Sequence, residues 1–343
     1  MRFSEVLEIK NGKNQRQVEN PNGKYPIYGS GGVMGHADDY LCDAETVVIG
    51  RKGSINNPIF VEEPFWNVDT AFGLVANKDL LLPKYLYYFC INFNFEALNT
   101  TVTIPSLTKA NLLQIEINIP SIVEQSDVVS KLDKIGNLIE LRKQQLEELD
   151  QLVKSRFIEL FSDKYQTMTL ENVCEELFAG GDVKKDRLSD IKTDDYPYPI
   201  YTNGEKNNGL YGYTNIIRVK KEAVTISGRG TIGFTCLRKE AFYPAVRLIV
   251  AVPNQQFVSG CYLKYFIESK NYGGQGASIP QLTVPMIKDE LIPVPPIELQ
   301  EQFATFVEQV DKSKYYIDNY LQSLDKCSLK RGERQWKNIC LTL

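Results

Sequence analysis

The sequence predicts an α+β protein made of two similar mixed α/β domains separated by a pair of long antiparallel coiled-coil helices. Three observations support this prediction. The chain repeats itself once, each repeat opens with short β-branched runs between turn residues, and each repeat closes in a long stripe of apolar residues at helical spacing. At 343 residues the chain also exceeds the usual size of one hydrophobic core, so its length alone favours two domains.

The repeat consists of three blocks that recur in the same order. Tyr25-Pro26-Ile27-Tyr28 returns unchanged at 198–201. Residues 47–55 match 224–232, and Ile104-Pro105-Ser106-Leu107-Thr108 matches 279–283. Three blocks in one order, with nearly constant distances between the matched positions, indicate duplication. The chain is therefore predicted to hold two copies of one unit.

The first part of each copy reads as a mixed domain. Runs of Val, Ile and Thr punctuated by Gly, Asn and Pro predict strands at 46–49, 59–61, 224–226 and 248–252. Aromatic and aliphatic residues at helical spacing predict short helices at 83–89 and 262–267.

The second part of each copy carries an apolar stripe with alternating spacings of four and three positions, which is typical of a coiled coil. A helix over 122–161 would be about 60 Å long at 1.5 Å per residue, more than its own domain needs. We therefore expect the two long helices to pack antiparallel against each other; the alternative is that each covers only its own domain. The first stripe comprises Val128, Leu132, Ile135, Ile139, Arg142, Leu146, Leu149, Val153, Arg156 and Leu160, and the second comprises Phe303, Val307, Val310, Lys314, Ile317, Leu321 and Leu324.

These patterns set the predicted domain boundaries. The first domain is predicted at 1–120, the central helix at 121–162, the second domain at 163–295, and the distal helix with a tail at 296–343. After Leu324 the stripe gives way to a polar segment that contains Gly332, so the second helix is expected to be shorter than the first.

The junction between each domain and its helix resembles that of specificity subunits of type I restriction-modification systems. The resemblance lies in residues 104–108, in Ile117-Asn118-Ile119-Pro120 and in Glu124-Gln125, with counterparts at 279–283 and 292–302. It covers essentially the whole chain, because that family is built as recognition domain, helix, recognition domain, helix. Each domain is then expected to be a target recognition domain.

The resemblance implies a non-catalytic subunit that binds double-stranded DNA. Each recognition domain would read one half of a split target, and the helices would set the spacing and dock two methyltransferase subunits, with restriction subunits as further partners. The partners methylate adenine with S-adenosylmethionine, so this chain is expected to bind no cofactor itself. The segments between matched blocks differ in length and content, 29–46 being shorter than its counterpart 202–223, which predicts two unlike half-sites.

Five of the fourteen candidate DNA-contacting residues lie in two glycine-rich turns, residues 50–54 and 228–231, each of which follows a predicted strand. Arg can hold guanine through a fork of two donors, while backbone N–H groups and hydroxyls suit phosphate. The alternative is a tight turn that merely needs glycine. The candidates are Lys13, Arg16, Tyr28, Ser30, Arg51, Lys52, Ser54, Lys184, Lys185, Tyr201, Asn203, Arg218, Arg229 and Thr231. The candidate partner-binding residues are Leu132, Ile135, Ile139, Leu146, Leu149, Val307, Val310, Ile317 and Leu321.

The charge distribution gives no independent sign of DNA binding. The net charge is −4, with −3 over residues 1–118 and +1 over 166–292. Phosphate contacts would have to come from a local basic face, since neither domain is basic overall. The same lysines and arginines are equally consistent with ordinary solvated faces.

Several classes of protein are disfavoured. No stretch is long and apolar enough for a membrane span and no signal region follows Met1, so a cytoplasmic protein is expected. Seven scattered cysteines without a CxxC pair predict neither a disulfide framework nor a zinc site. With His36 as the single histidine, multi-histidine metal sites are impossible and a catalytic triad would rest on it alone.

Two alternative interpretations remain beside the specificity subunit. One is a duplicated scaffold that binds other proteins, which, unlike a specificity subunit, need not be encoded beside an adenine methyltransferase. The other is the specificity subunit of a compact restriction system whose partner fuses nuclease and methylase. The sequence does not separate the latter from the main interpretation.

Overall fold

The computed structural model describes residues 1–98, 106–272 and 281–329, apart from the side chains of Lys185 and residues 325–329. The chain divides into two compact units. Unit 1 is Met1–Lys143 with Asp318–Leu343, and unit 2 is Gln144–Ile317. Among the described residues, no helix combines the length and the apolar character needed to cross a membrane. The predicted boundaries at 120, 162 and 295 stay a prediction.

Unit 1 contains a four-stranded sheet in the order β1-β7-β4-β5 and a three-stranded sheet in the order β3-β2-β6. Its elements are α1 (Phe3–Val6), β1 (Leu7–Asn11), β2 (Tyr25–Gly29), β3 (Gly32–Ala37), β4 (Thr46–Gly50), β5 (Ile59–Val61), β6 (Trp66–Asn67), β7 (Ala71–Ala76), α2 (Pro83–Asn92), α3 (Lys109–Leu113) and the start of α4 (Ile122–Phe161). A short 3-10 helix follows α2 at Phe95–Leu98.

Unit 2 repeats this plan. Its four-stranded sheet has the order β13-β12-β15-β9, a three-stranded sheet has the order β11-β10-β14, and β16 pairs with β8. Its elements are β8 (Thr167–Thr169), β9 (Cys174–Ala179), β10 (Tyr198–Tyr201), β11 (Leu210–Thr214), β12 (Ala223–Ile226), β13 (Thr235–Arg238), β14 (Tyr243–Pro244), β15 (Ile249–Pro253), α5 (Gly260–Ser269), α6 (Val284–Ile287), β16 (Leu291–Pro293) and α7 (Ile297–Leu329). Short 3-10 helices lie at Lys185–Arg187 and Lys206–Gly209.

The strand registers match between the units as well as the strand orders. Ile49 of β4 pairs with Phe72 of β7, and Ile226 of β12 pairs with Ile249 of β15. Both members of the pair are thus displaced along the chain by the same distance as the second repeated block. The predicted α+β class with two similar mixed domains is confirmed.

The predicted strands and short helices are all present, with small shifts at their ends. β15 begins at Ile249 and not at Leu248, because the N–H of Leu248 closes a turn onto the carbonyl of Ala245 at 3.1 Å. Helix α5 begins before the predicted 262 because the Ser259 hydroxyl accepts a hydrogen bond from the Tyr262 N–H at 3.2 Å, which caps the helix.

Each unit is built around its own apolar core, and each core contains a fully buried tyrosine at the matching position. Tyr85 of α2 and Tyr262 of α5 are both 1% exposed. Each hydroxyl donates to a backbone carbonyl just before a long helix, Asn118 at 3.3 Å and Pro293 at 2.8 Å. Burial of such a ring is favourable only when its hydroxyl is satisfied, so these bonds fix the position of the chain entering each long helix.

A buried glutamine then anchors each long helix to its domain. The Gln125 side chain is fully buried; its Nε2 donates to the carbonyls of Leu80 (2.8 Å) and Pro120 (2.9 Å), and its Oε1 accepts from the Leu82 N–H at 2.8 Å. Gln300 makes the same three contacts in unit 2, and its partners are the carbonyls of Phe257 and Pro295 and the N–H of Ser259. The Glu124-Gln125 motif therefore has a structural role at the helix start.

Within unit 2, α4 and α7 pack antiparallel. Val153 of α4 lies in one buried cluster with Phe303, Val307 and Val310 of α7. The ring of Phe157 meets that of Phe303 at 5.4 Å, and earlier in α4 the Asp150 carboxylate meets Lys314 Nζ at 2.6 Å. As numbers rise along α4 they fall along α7, which confirms the predicted antiparallel pairing.

The described part of the second helix is shorter than the first. Helix α4 spans 40 residues and α7 spans 33. Most of the polar tail noted in the sequence, residues 330–343, lies outside the described residues. So do Ile104-Pro105 and Ile279-Pro280 of the repeated block, whose other members in each copy are described.

Candidate nucleic-acid interface

The candidate loops of unit 1 converge on one short turn, residues 67–71, which we call the first bracket turn. The backbone N–H groups of Lys13 and Arg51 each donate to carbonyls of this turn at 2.8 Å, and the Tyr28 carbonyl accepts from it at 3.0 Å. Three loops that are far apart in sequence therefore meet at this turn.

Residues 244–248 form the second bracket turn and gather the corresponding loops of unit 2. Its residue Ala245 donates to the Tyr201 carbonyl at 2.7 Å, and its Leu248 carbonyl accepts from the Gly180 N–H at 2.8 Å. Asn203 connects the glycine-rich turn to it, since its Oδ1 accepts from the Gly228 N–H at 2.7 Å and its Nδ2 donates to the Val246 carbonyl at 2.9 Å. Asn203, predicted to contact DNA, is thus engaged at both ends of its amide within the protein.

Two glycines outside the predicted site make this approach possible. A Cβ on Gly12 would lie 1.7 Å from the Val68 carbonyl oxygen, and one on Gly180 would lie 2.2 Å from that of Ala245. Only glycine fits either position. Comparison of the two copies did not reveal this pair of glycines. Gly12 and Gly180 are separated by fewer positions than the matched residues of the repeated blocks, so they do not align with each other.

Residues of the third repeated block hydrogen-bond to the glycine-rich turns. The Leu107 N–H donates to the Arg51 carbonyl at 2.9 Å, and the Leu282 N–H donates to the Gly228 carbonyl at 2.8 Å. Gly53 and Gly230 have φ of +80° and +67°, which explains the recurring glycine at this position. The side chains of Arg51, Lys52, Ser54, Arg229 and Thr231 are exposed.

Ser30 and the first glycine-rich turn lie together. The Ser30 Cβ is 2.9 Å from where a side chain on Gly50 would begin, so the two loops are in close contact. The structure thus places Ser30 against Gly50, at the start of the first glycine-rich turn.

The rings of the two repeated tyrosines are more buried than aromatic rings that stack on nucleic-acid bases at a protein surface. Tyr28 is half-buried against Phe65, with ring centroids 5.4 Å apart. Tyr201 is 8% exposed, lies under the guanidinium of Arg238 at 3.6 Å, and donates its hydroxyl to Glu240 at 2.7 Å. Burial and this hydrogen bond raise the pKa of Tyr201 to about 12.

The remaining candidate cations are dispersed. Lys13, Arg16 and Lys184 are exposed, and the side chain of Lys185 lies outside the described part. Arg218 pairs with the Glu176 carboxylate at 3.2 Å and stacks over the Phe178 ring at 4.2 Å.

Two further residues lie beside Arg229 and were not among the predicted contacts. Arg229 Nε and Arg247 Nη1 both donate to Gln281 Oε1, at 3.3 and 2.9 Å. Arg247 belongs to the second bracket turn and has a φ of +66°. Its position opposite the glycine-rich turn has no marker in the sequence.

The candidate partner-binding residues fall into two groups. Val307, Val310 and Ile317 are buried, the first two in the contact between α4 and α7, so they stabilise the helix pair inside the chain. Leu132 packs on the unit 1 core and Leu149 on the helix contact. Ile135 is 38% exposed, and Ile139, Leu146 and Leu321 are half-buried.

Other apolar side chains on the long helices are much more exposed, and the heptad pattern did not pick them out. They are Leu141, Leu152 and Ile158 on α4 and Tyr315, Tyr316 and Tyr320 on α7.

The described residues contain no group of three or more His, Cys, Asp or Glu side chains placed to hold a metal ion. His36 is exposed on β3. Cys42 is buried, and burial raises the pKa of its thiol to about 11, which opposes the reactive thiolate.

Several curated proteins are similar to this chain over most of its length. A protein named as a type I specificity subunit of Mycoplasma pneumoniae is 22% identical over 331 residues, 92% of this chain and 89% of the relative. A second from the same organism is 27% identical over 80% of this chain and 87% of the relative. One from Haemophilus influenzae, named as a type I restriction enzyme specificity subunit, is 25% identical over 91% and 86%.

Solved structures share the fold. The S subunit of a type I restriction-modification system from Mycoplasma genitalium aligns with a TM-score of 0.60 at 18% identity, over 95% of this chain and 92% of that chain. A chain from a structure of complex assembly in the type I restriction-modification system aligns with a TM-score of 0.63 at 14% identity, over 97% and 96%.

The family model described as "Type I restriction modification DNA specificity domain" matches residues 1–151 and again 162–323. The two matches correspond to the two copies seen in the sequence and to the repeated strand order of the structure. The chain therefore belongs to the type I restriction-modification DNA specificity family, with two such domains.

Proposed function

We propose that this chain is the DNA-binding specificity subunit of a type I restriction-modification complex and that it performs no catalysis itself. Each domain reads one half of a split target in double-stranded DNA. The long helices set the distance between the halves and dock two methyltransferase subunits, which use S-adenosylmethionine to methylate adenine. Restriction subunits are further partners.

The observation that carries this proposal is a shared frame with different side chains. In both units a Leu N–H of the third block bonds the glycine-rich turn, and the turn is joined to a bracket turn, directly through the Arg51 N–H in unit 1 and through the Asn203 side chain in unit 2. The exposed residues on that frame differ, with Arg51 and Lys52 in unit 1 and Arg229 in unit 2. A common frame with unlike side chains suits two recognition sites of the same geometry and different sequence preference.

The net negative charge of the chain is consistent with a subunit that binds DNA together with partner subunits. Because the chain has a net charge of −4, only local groups of cations favour phosphate. We therefore expect weak DNA binding by the chain alone and much tighter binding once methyltransferase subunits add cationic surface.

Docking of the methyltransferase is supported by apolar side chains that the helix pair leaves exposed. In unit 2 these are Leu152 and Ile158 of α4 and Tyr315 and Tyr316 of α7, each 48–72% exposed. Apolar and aromatic residues outside a folded core are typical of protein interfaces.

The proposal is tested by co-expressing the chain with the adenine methyltransferase encoded beside it, in a host free of adenine methylation, and mapping N6-methyladenine across the genome. We expect one motif with two unlike halves separated by a fixed spacer. A soluble complex that methylates no motif would contradict the recognition role. A chain that fails to bind the methyltransferase would favour the protein scaffold.

A further inference from the structure

Unit 2 holds two guanidinium groups on a single neutral acceptor. Gln281 Oε1 accepts from Arg247 Nη1 at 2.9 Å and from Arg229 Nε at 3.3 Å. Within the described part of the chain, neither arginine lies within 4 Å of a carboxylate oxygen. Two like charges held together without a counter-charge repel each other, and an electron-rich ligand would relieve that repulsion.

The backbone of Arg247 is held in a conformation that arginine rarely adopts. Its φ of +66° lies in the left-handed region, where glycine is favoured. The turn is fixed on several sides. The Arg247 N–H donates to the Gly180 carbonyl at 3.3 Å, Asn203 Nδ2 donates to the Val246 carbonyl at 2.9 Å, and the Leu248 N–H donates to the Ala245 carbonyl at 3.1 Å. A costly residue on a rigid turn points to a role for its side chain.

The glycine-rich turn approaches Arg247 closely. A Cβ on Gly228 would lie 2.9 Å from the Arg247 carbonyl oxygen and 2.7 Å from that of Leu282. Asn203 bonds both turns, so Arg229 and Arg247 are brought together by the same network that assembles the domain edge.

Unit 1 has different residues at the matching positions. The register of β7 and β15 places Thr70 where unit 2 has Arg247, since Phe72 and Ile249 are matched strand partners of Ile49 and Ile226. The third block has Ser106 where unit 2 has Gln281. The arginine pair is therefore specific to the second domain.

We propose that Arg247, oriented by Gln281 beside Arg229, reads a guanine in the half-site recognised by the second domain, and that unit 1 has no counterpart of Arg247 because Thr70 takes its place. With one Nη1 hydrogen donated to Gln281, the other Nη1 hydrogen and Nη2 form the end-on fork that matches O6 and N7 of guanine. Rigid positioning favours base reading over phosphate binding, because a phosphate is reached equally well by a mobile cation. This inference rests on the proposed function and adds a residue and a base to it.

The test compares methylation maps of the wild-type complex with those of Arg247→Gly, Arg247→Lys and Gln281→Ala. Glycine suits the left-handed backbone, and relief of that strain offsets the higher entropy of the unfolded chain, so Arg247→Gly is expected to keep the melting temperature close to that of wild type while it removes the guanidinium. Arg247→Lys keeps the charge but not the fork. Lys239→Ala is the matched control, since it removes a cation of the same domain that pairs with Glu308 at 3.3 Å.

We expect wild type to prefer G at one position of one half by about 5- to 150-fold, the range of a good forked contact. Arg247→Gly and Arg247→Lys lose that preference, Gln281→Ala weakens it, and the other half of the motif stays unchanged. Lys239→Ala keeps the wild-type motif.

An unchanged motif in Arg247→Gly would overturn the inference. So would a uniform drop in methylation at all sites with the motif intact, because that is the signature of a phosphate contact. If wild type itself yields no split motif, the proposed function fails, and this outcome is distinct from failure of the guanine contact alone.

Discussion

Gln125 and Gln300 show how one buried side chain can join a long helix to a folded domain. Each satisfies two carbonyls and one N–H that would otherwise be buried without partners, and each bonds the carbonyl of a proline just before its helix. A buried polar group left without a partner costs about 1–3 kcal/mol. Loss of the glutamine amide therefore destabilises the protein by more than the net free energy of the hydrogen bonds that the amide makes.

Replacing Gln125 by Ala is expected to lower the free energy of unfolding of unit 1 by about 2–4 kcal/mol, because three backbone groups lose their partner. Amide hydrogen exchange at Leu82, whose N–H donates to Gln125 at 2.8 Å, should become faster. Asn137→Ala, at an exposed position in the unit 1 part of the same helix, serves as the control and should change stability by less than about 0.5 kcal/mol. Unchanged protection of Leu82 would contradict the anchoring role.

Gly180 is expected to tolerate no side chain. An added Cβ would lie 2.2 Å from the Ala245 oxygen and 2.5 Å from the Pro244 oxygen, both backbone atoms. Gly180→Ala should therefore lower the melting temperature and destabilise unit 2 by about 1–3 kcal/mol. The neighbouring Gly181→Ala is the matched control, since its Cβ would meet only the Tyr243 hydroxyl at 3.7 Å. Equal melting temperatures for the two variants would refute the close approach.

At the scale of elements, the helix pair divides its apolar residues between two tasks. Phe303 is fully buried and packs against Phe157 and Phe161 in unit 2. Tyr315 and Tyr316, farther along the same helix, are 64% and 72% exposed. The first group stabilises the helix pair, whereas the second lies outside its packed core.

Replacing both Tyr315 and Tyr316 by Ser should weaken binding of the methyltransferase by about 10- to 100-fold, as expected when interface aromatics are lost. The melting temperature of the chain alone should stay close to that of wild type. Gln309→Ala, an exposed position of the same helix, is the control and should bind normally. Calorimetric titration with the purified methyltransferase measures the effect, and wild-type affinity in the double variant would exclude these tyrosines from the docking surface.

The elements were predicted more completely than the site. Strand and helix patterns are local, so the run from Thr46 and the stripe that begins after Pro120 predicted β4 and all of α4. The heptad pattern predicted the buried seam through Val307 and Val310, whereas exposure on other faces depends on what packs there. Arg247 joins Arg229 only through the turn that Asn203 and Gly180 hold, a tertiary contact without a sequence signal.

For the whole molecule, duplication explains both the likeness of the two domains and their difference. Strand order, strand register, buried tyrosine and anchoring glutamine are repeated, and these features preserve the fold. The side chains at the edge formed by the bracket turns are not repeated, since Thr70 and Ser106 correspond to Arg247 and Gln281 in the alignment of the copies. Under the proposed function, two recognition sites can thus diverge on one frame without loss of stability.

Under the proposed function, each domain recognises one half-site. The most direct test compares the methylation motifs of two variants: a double variant in unit 1, Arg51→Ala/Lys52→Ala, and a single variant in unit 2, Arg229→Ala. Both sets of side chains are exposed, so neither variant should unfold the chain. We expect each variant to change or relax one half of the split motif, with the two variants affecting opposite halves and the spacer unchanged. Loss of the same half in both variants, or an unchanged motif in both, would contradict the assignment of one half-site to each domain.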